Sequence, residues 1–195
     1  MKTVILASQS KARKLLFSSL GIPFITMPAS IDEKSIRDKN LKKRAEKIAR
    51  TKGEKIAAEH NGVIISCDTF SSCEGKVLEK PDNVSEAKKM LRFLSGRKAV
   101  NYTGFCYIDH SKQIDFSTTI VVNYEVRQLY PGEINQYINE FPVAEWAAAF
   151  ALVYPYITTF ISKINGSYTG LSYGLPTELL IPLLKKSGFE PKPQR

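Results

Sequence analysis

The stretch Leu41–Glu59 constrains the fold more than any other part of the chain. Leu41, Ala45, Ile48, Ala49 and Ile56 recur at three- and four-residue spacings and so share one stripe of a helix. Asn61-Gly62 then turns the chain into Val63-Ile64-Ile65-Ser66-Cys67, a near-continuous apolar run of the kind an interior strand presents. A long one-sided helix that feeds an interior strand needs a layered architecture, with helices packed on a sheet.

The flanking sequence repeats that alternation. Thr3–Ser8 reads as a buried strand, and Ser10 caps a helix from Lys11 to Leu20, with Leu15, Leu16 and Leu20 inward and Gly21 as the stop. Pro23–Met27 reads as a second strand leading to Asp32-Glu33. Glu74-Gly75 joins hairpin strands Asp68–Ser72 and Lys76–Glu79. Ser85 opens a helix with Ala87, Met90, Leu91 and Leu94 on one side, and Val100–Ile108 and Ile114–Val126 read as two long strands. Pro131 starts another helix, Phe150–Ile164 is aromatic and β-branched and reads as strand, and Thr177–Lys186 is a last helix that must accommodate Pro182. The expected fold class is α/β, with a mixed, elongated central sheet flanked by helices and two lobes around a cleft. Residues 1–195 are read as a single domain whose two lobes share that cleft.

Several function classes drop out. The longest apolar run, Ala147–Ile157, is short and broken by Pro155, so no membrane span is expected. The first residues resemble a brief signal sequence, but a buried strand explains them better. Cys67, Cys73 and Cys106 show no paired metal-ligand spacing and are expected as reduced thiols in a cytoplasmic compartment. His60 and His110 both lie beside expected loops, which gives a histidine-activated nucleophile little support. Neither a G-x-G-x-x-G nor a G-x-x-x-x-G-K-[ST] pattern occurs.

A formal charge of +9 favours polyanionic partners, and much of it lies between Lys39 and Lys55. Apart from Lys52, these charges read as a solvated helix face. With no RNP-like or helix-turn-helix signal, nucleic acid is not the favoured partner.

Lys52 breaks the helix pattern. At about 100° per residue it falls near the middle of the apolar stripe, where an ammonium has little water to reach, so it is expected to point into a polar cleft and meet an anion. Asp68, closing the interior strand, needs a partner if it is desolvated; a metal ion, a positioned water or a local turn would each supply one. Ser8, Ser10 and Arg13 follow the first strand, with Ser10 opening a helix whose amides can hold a phosphate. Glu33 follows the second strand and Lys80-Pro81 the hairpin. Carboxylates for a divalent cation and cations for phosphate oxygens form the residue set that phosphoryl chemistry requires.

Leu6-Ala7-Ser8-Gln9-Ser10 with Arg13, Asp32-Glu33, Ile48-Ala49-Arg50-Thr51-Lys52, Cys67-Asp68-Thr69 and Lys80-Pro81 stand here in order. Leu94-Ser95-Gly96-Arg97, Tyr102-Thr103-Gly104, Gly166-Ser167-Tyr168 and Gly174-Leu175-Pro176 follow them. This ordered set resembles the Maf family, septum formation inhibitor-like nucleoside triphosphate pyrophosphatases related in architecture to inosine triphosphate pyrophosphatases. The resemblance runs from about Val4 to Leu184.

It implies hydrolysis of a nucleotide between its α- and β-phosphates, on non-standard or pyrimidine substrates. It further implies a homodimer in the cytoplasm and a requirement for Mg²⁺ or Mn²⁺. By position, Ser8, Ser10, Arg13, Lys52, Lys80 and Thr69 would bind substrate, with Lys52, Lys80 and Asp68 catalytic and Glu33 and Asp68 holding the metal. Three segments depart from the family pattern. Ser-Pro-Arg-Arg is here Ser10-Lys11-Ala12-Arg13, and Lys-Ala-Gly-Ala-Tyr is here Trp146-Ala147-Ala148-Ala149-Phe150, with Val153 or a neighbour at the downstream glutamine; Thr169–Tyr173 carries an extra residue. Thr69 resembles the branch that prefers thymidine and uridine triphosphates, whereas Ala12 and Val153 do not. The departures motivate an alternative, a nucleotide-binding or regulatory protein linked to cell division that has lost turnover.

Overall fold

In a computed structural model that describes residues 2–193, the chain folds as a mixed sheet flanked by helices; Met1, Gln194 and Arg195 of the expected 1–195 domain lie outside the described residues. The strands are β1 (Val4–Leu6), β2 (Ile25–Thr26), β3 (Val63–Cys73), β4 (Lys76–Leu78), β5 (Lys98–Asp109), β6 (Ile114–Val126) and β7 (Ile161–Asn165). They are ordered β2-β1-β3-β5-β6-β7, with β4 added beside β3. The β2, β1 and β3 pairings are parallel, and β5, β6 and β7 add antiparallel ladders.

The helices are α1 (Lys11–Ser18), α2 (Leu41–Glu59), α3 (Val84–Leu94), α4 (Pro131–Glu140), α5 (Pro155–Thr158), α6 (Tyr168–Tyr173) and α7 (Thr177–Lys186). The helix read at Leu41–Glu59 has those bounds, capped by the Asn40 side chain on the N–H groups of Lys42 and Lys43. It covers one face of the sheet, where Ile5, Ala49, Ile56, Ile64, Cys106 and Ile108 form a core cluster. On the opposite face, Val4, Phe17, Ile65, Cys67, Phe105, Tyr107, Leu180 and Leu184 pack from α1, α7 and the sheet. A third cluster fills the space between α3, α4, residues 143–160 and β6. Among the described residues no helix is long and apolar enough to cross a membrane.

Four expectations need correction. Asp68 does not close a strand, because β3 continues to Cys73 and pairs Asp68 with Gly104 on β5. Leu15 is 60% exposed; Phe17 and Arg13 take the inward positions of α1. Phe150–Ile164 is strand only from Ile161, since Pro155 opens α5 and the preceding residues coil through short 3₁₀ turns. Arg44, read as part of the solvated face of α2, is buried.

The register leaves a gap that locates the site. β5 lies along one edge of β3 from Ile64 to Ser72. On the other edge β1 reaches only Val63–Ile65 and β4 only Ser71–Cys73. Residues 66–70 therefore have no strand on that side, just past the carboxyl end of β1 where ligands of open α/β sheets collect. The pleat sends Asp68 toward α2 and Thr69 toward α1 and α6. The α2 face is closely fitted here: a Cβ on Gly104 would stand 2.0 Å from the Ala45 carbonyl oxygen, so only glycine lets the helix backbone approach β5.

Candidate active site

On the α2 face of the gap, Lys52 Nζ lies 3.0 Å from Asp68 Oδ1 and 3.0 Å from Glu33 Oε2. The side chains of Lys52 and Asp68 are 10% and 12% exposed, whereas Glu33 is 48% exposed. The ammonium in the middle of the apolar stripe thus meets two carboxylates, one nearly enclosed and one at the rim. Removing one partner of such an enclosed pair strands the other charge, at a cost of about 3–5 kcal/mol. Only one oxygen of Asp68 is engaged by Lys52, so the other remains available to a water or ligand proton.

Across the sheet, Arg13 on α1 is buried at 9% exposure. Its Nη1 donates to Ser8 Oγ at 3.0 Å, Nη2 to Thr69 Oγ1 at 3.0 Å and Nε to the Gly174 carbonyl at 2.9 Å. All three acceptors are neutral, and among the described residues no carboxylate lies within ion-pair distance of the guanidinium. A buried cation without a counter-charge is costly to hold unless an anion joins it. Each terminal nitrogen also keeps a second N–H for such a ligand. Behind this contact, Thr69 Oγ1 lies 3.5 Å from Thr103 Oγ1, which is 2.9 Å from the Gly170 carbonyl. The guanidinium is thereby held between α1, β1, β3 and the end of α6.

The other expected residues fall into place unevenly. Ser10 is the N-cap of α1, accepting from Arg13 N at 3.4 Å while its own N–H donates to Ser8 Oγ at 3.2 Å. Lys80 is exposed on the loop after β4, and among the described residues no side-chain hydrogen bond or ion pair joins it to either cluster. Lys11 is exposed and pairs with Glu145 on the surface, 3.1 Å distant. Val153 is half-buried near the 3₁₀ turns. The segment that departs from the family pattern holds Ala148 at φ 55° and Ala149 at φ 64°, left-handed backbone that alanine adopts only with strain.

Two contributors were not read from the sequence. Gly174 ends α6 at φ 63° and presents its carbonyl to Arg13; a Cβ there would meet Thr69 Oγ1 at 2.7 Å. The Gly174-Leu175-Pro176 motif had marked the position without revealing this contact. Arg44 pairs with Glu79 and was legible in principle, because Arg44, Ile48 and Lys52 are spaced by four on one helix stripe.

Cys67 lies between the two clusters, yet burial pushes its thiol up to about 11 against the pull of Arg13 and Lys52. At neutral pH it is a packed thiol with no nucleophilic thiolate. Glu33 and Asp68 both reach the Lys52 ammonium, one from an exposed rim and one from an enclosed strand, and both offer hard oxygen donors. Such oxygens suit a divalent cation, whose remaining ligands would come from phosphate and water. Among the described residues no group of three or more His, Cys, Asp or Glu forms a complete protein cage for a metal ion.

The chain is similar to known proteins over nearly its whole length. The sequence profile described as "Maf-like protein" matches residues 3–187. A dTTP/UTP pyrophosphatase of Caldicellulosiruptor saccharolyticus is 32% identical over 97% of both chains. One from Chlorobaculum tepidum is 33% identical over 94% of both. A 7-methyl-GTP pyrophosphatase of Colwellia psychrerythraea is 30% identical, covering 97% of this chain and 95% of its own. Among solved structures, a HAM1 protein from Coxiella burnetii shares the fold at 16% identity, with a TM-score of 0.52 over 95% of this chain and 100% of its own.

Proposed function

Because the chain belongs to the Maf-like protein family, we propose that it is a nucleoside triphosphate diphosphatase, cleaving the α–β phosphoanhydride bond to release a nucleoside monophosphate and pyrophosphate. The observation that carries this reading is the pairing, around one gap in the sheet, of an uncompensated buried Arg13 with the Lys52–Asp68–Glu33 cluster. Relatives named for dTTP, UTP and 7-methyl-GTP direct the substrate class toward pyrimidine or modified nucleotides.

Arg13 takes oxygens of the triphosphate on its free N–H groups, and its three protein contacts hold the fork so that little entropy is lost on binding. The hydroxyls of Ser8 and Ser10, with the amides at the start of α1 that the cap leaves free, would add further donors to the phosphates. Lys52, released in part from Asp68 as substrate enters, neutralises charge developing on the phosphates, the largest electrostatic task in this chemistry. Asp68 accepts a proton from the attacking water through its free oxygen and aims that water at the α-phosphorus. Lys80, exposed after β4, would add a further cation for the phosphates. Glu33 and Asp68 are the residues that would hold Mg²⁺ or Mn²⁺, which supplies charge neutralisation at the phosphates when bound. The working assembly is taken as a homodimer acting in the cytoplasm.

The test is pyrophosphate release from a panel of dTTP, UTP, 7-methyl-GTP and the standard nucleotides, with Mg²⁺, with Mn²⁺ and with chelator. Asp68→Asn should lower the rate on the order of a hundredfold or more, as for a lost general base. Thermal unfolding of the variant separates lost chemistry from lost fold. Full activity in a folded Asp68→Asn protein would exclude this role. The strained Ala148–Ala149 segment favours one alternative, a protein that binds nucleotide without turnover. Saturable binding with no pyrophosphate released from any nucleotide would select it.

A further inference from the structure

Arg44 stands two turns before Lys52 on the same stripe of α2 and is 5% exposed. Its Nε donates to the Ile36 carbonyl at 3.3 Å, its Nη2 pairs with Glu79 Oε1, and its guanidinium lies 5.1 Å from the centre of the Phe70 ring. Each contact leads to a segment that bears a residue of the site. Ile36 closes the short 3₁₀ turn Glu33–Ser35, its N–H returning to the Glu33 carbonyl at 3.3 Å. Glu79 immediately precedes Lys80, and its backbone carbonyl accepts from Ala148 N at 3.0 Å. Phe70 follows Asp68 by two residues on the same face of β3.

We propose that Arg44 is a positioning residue for the reaction: one buried guanidinium sets the Glu33 turn, the Lys80 loop and the strained Ala148 segment relative to Asp68. The inference rests on the nucleotide diphosphatase reading. Arginine suits the task because its planar fork sends donors in two directions while its face stacks on an aromatic ring. Lysine offers a point charge on a flexible stem, with neither the fixed fork nor the planar face that stacks on Phe70. The Glu33 turn is exposed and so is Lys80, although Pro81 beside it is buried, so the Arg44 contacts add an internal anchor to segments with little packing of their own at the site residues.

The experiment is a double-mutant cycle on pyrophosphate release with Mg²⁺, using Arg44→Lys and Glu79→Gln alone and in a Glu33→Gln background, with kcat and KM measured separately. Arg44→Lys should lower kcat on the order of tenfold in the otherwise wild-type protein, as expected for a misplaced site group. In the Glu33→Gln background the same change should cost a smaller factor, because one of the groups it positions is already disabled. Equal factors in both backgrounds, or a wild-type kcat in Arg44→Lys, would overturn the proposal. If the wild-type chain releases no pyrophosphate, the diphosphatase reading fails, and amide hydrogen exchange then decides this inference. Arg44→Lys must speed exchange at residues 33–36 and 79–80 while leaving the β5–β6 hairpin unchanged; unaltered exchange at those two segments would refute it.

Discussion

Lys52 shows how one residue out of pattern can disclose a site. Its position on an apolar stripe predicts an anionic partner, and the structure supplies Asp68 and Glu33. The same reasoning applied to Arg44 would have found its burial, but the surrounding lysines Lys42, Lys43 and Lys47 are exposed and make the whole face look solvated. Periodicity had the information; charge density obscured it. Arg13 was legible as a phosphate-binding candidate from its motif, but its contact with Gly174, 161 residues away in sequence, leaves no local trace. Ala148 occupies the place of a glycine in the family's segment and carries φ 55°. Ala148→Gly should therefore stabilise the protein by about 1 kcal/mol, because left-handed backbone costs alanine roughly that amount. The expected rise in Tm is about 2–4 °C for a chain of this size. An unchanged or lowered Tm would show that the segment is relaxed in solution.

The elements were legible where one physical signal dominated. Helix α2 was legible from its stripe, and the interior character of β3 from its apolar run. The fate of Asp68 did not, because a charged residue after an apolar run looks like a strand end. Only the ladder with β5 and the hairpin with β4 keep the strand going through it. Phe150–Ile164 went the other way: aromatic and β-branched composition favours strand, but Pro155 and packing into the third core cluster override it. At the start of α4, Glu133 accepts from Arg127 and from the Tyr130 N–H, and the Arg127 hydrogen bond is the main reason its carboxyl is held down at about 2. The folded value lies below the ordinary 4.5, so the stabilisation is fully present above that pH and is lost as pH falls through about 2. Urea midpoints of wild type and Glu133→Gln should differ most above pH 4.5 and converge as pH approaches 2. A constant difference across that range would show that the carboxylate charge does not stabilise this helix start.

At the scale of the molecule, the gap on the β3 edge between β1 and β4 joins the two faces of the sheet. Helix α2 brings Lys52 to one face, α1 brings Arg13 to the other, and consecutive residues Asp68 and Thr69 receive them. Alternation of strands and helices was enough to predict the α/β class. The gap itself depends on register and could not be read from any single stretch. On the proposed reading, this arrangement would set a cation on each side of the substrate phosphates, and Asp68 would aim a water at the α-phosphorus. Hydrolysis in ¹⁸O-labelled water, with products resolved by mass spectrometry, tests that placement most directly. The label should appear in the nucleoside monophosphate, with unlabelled pyrophosphate released alongside it; label in pyrophosphate or in inorganic phosphate would contradict attack at the α-phosphorus.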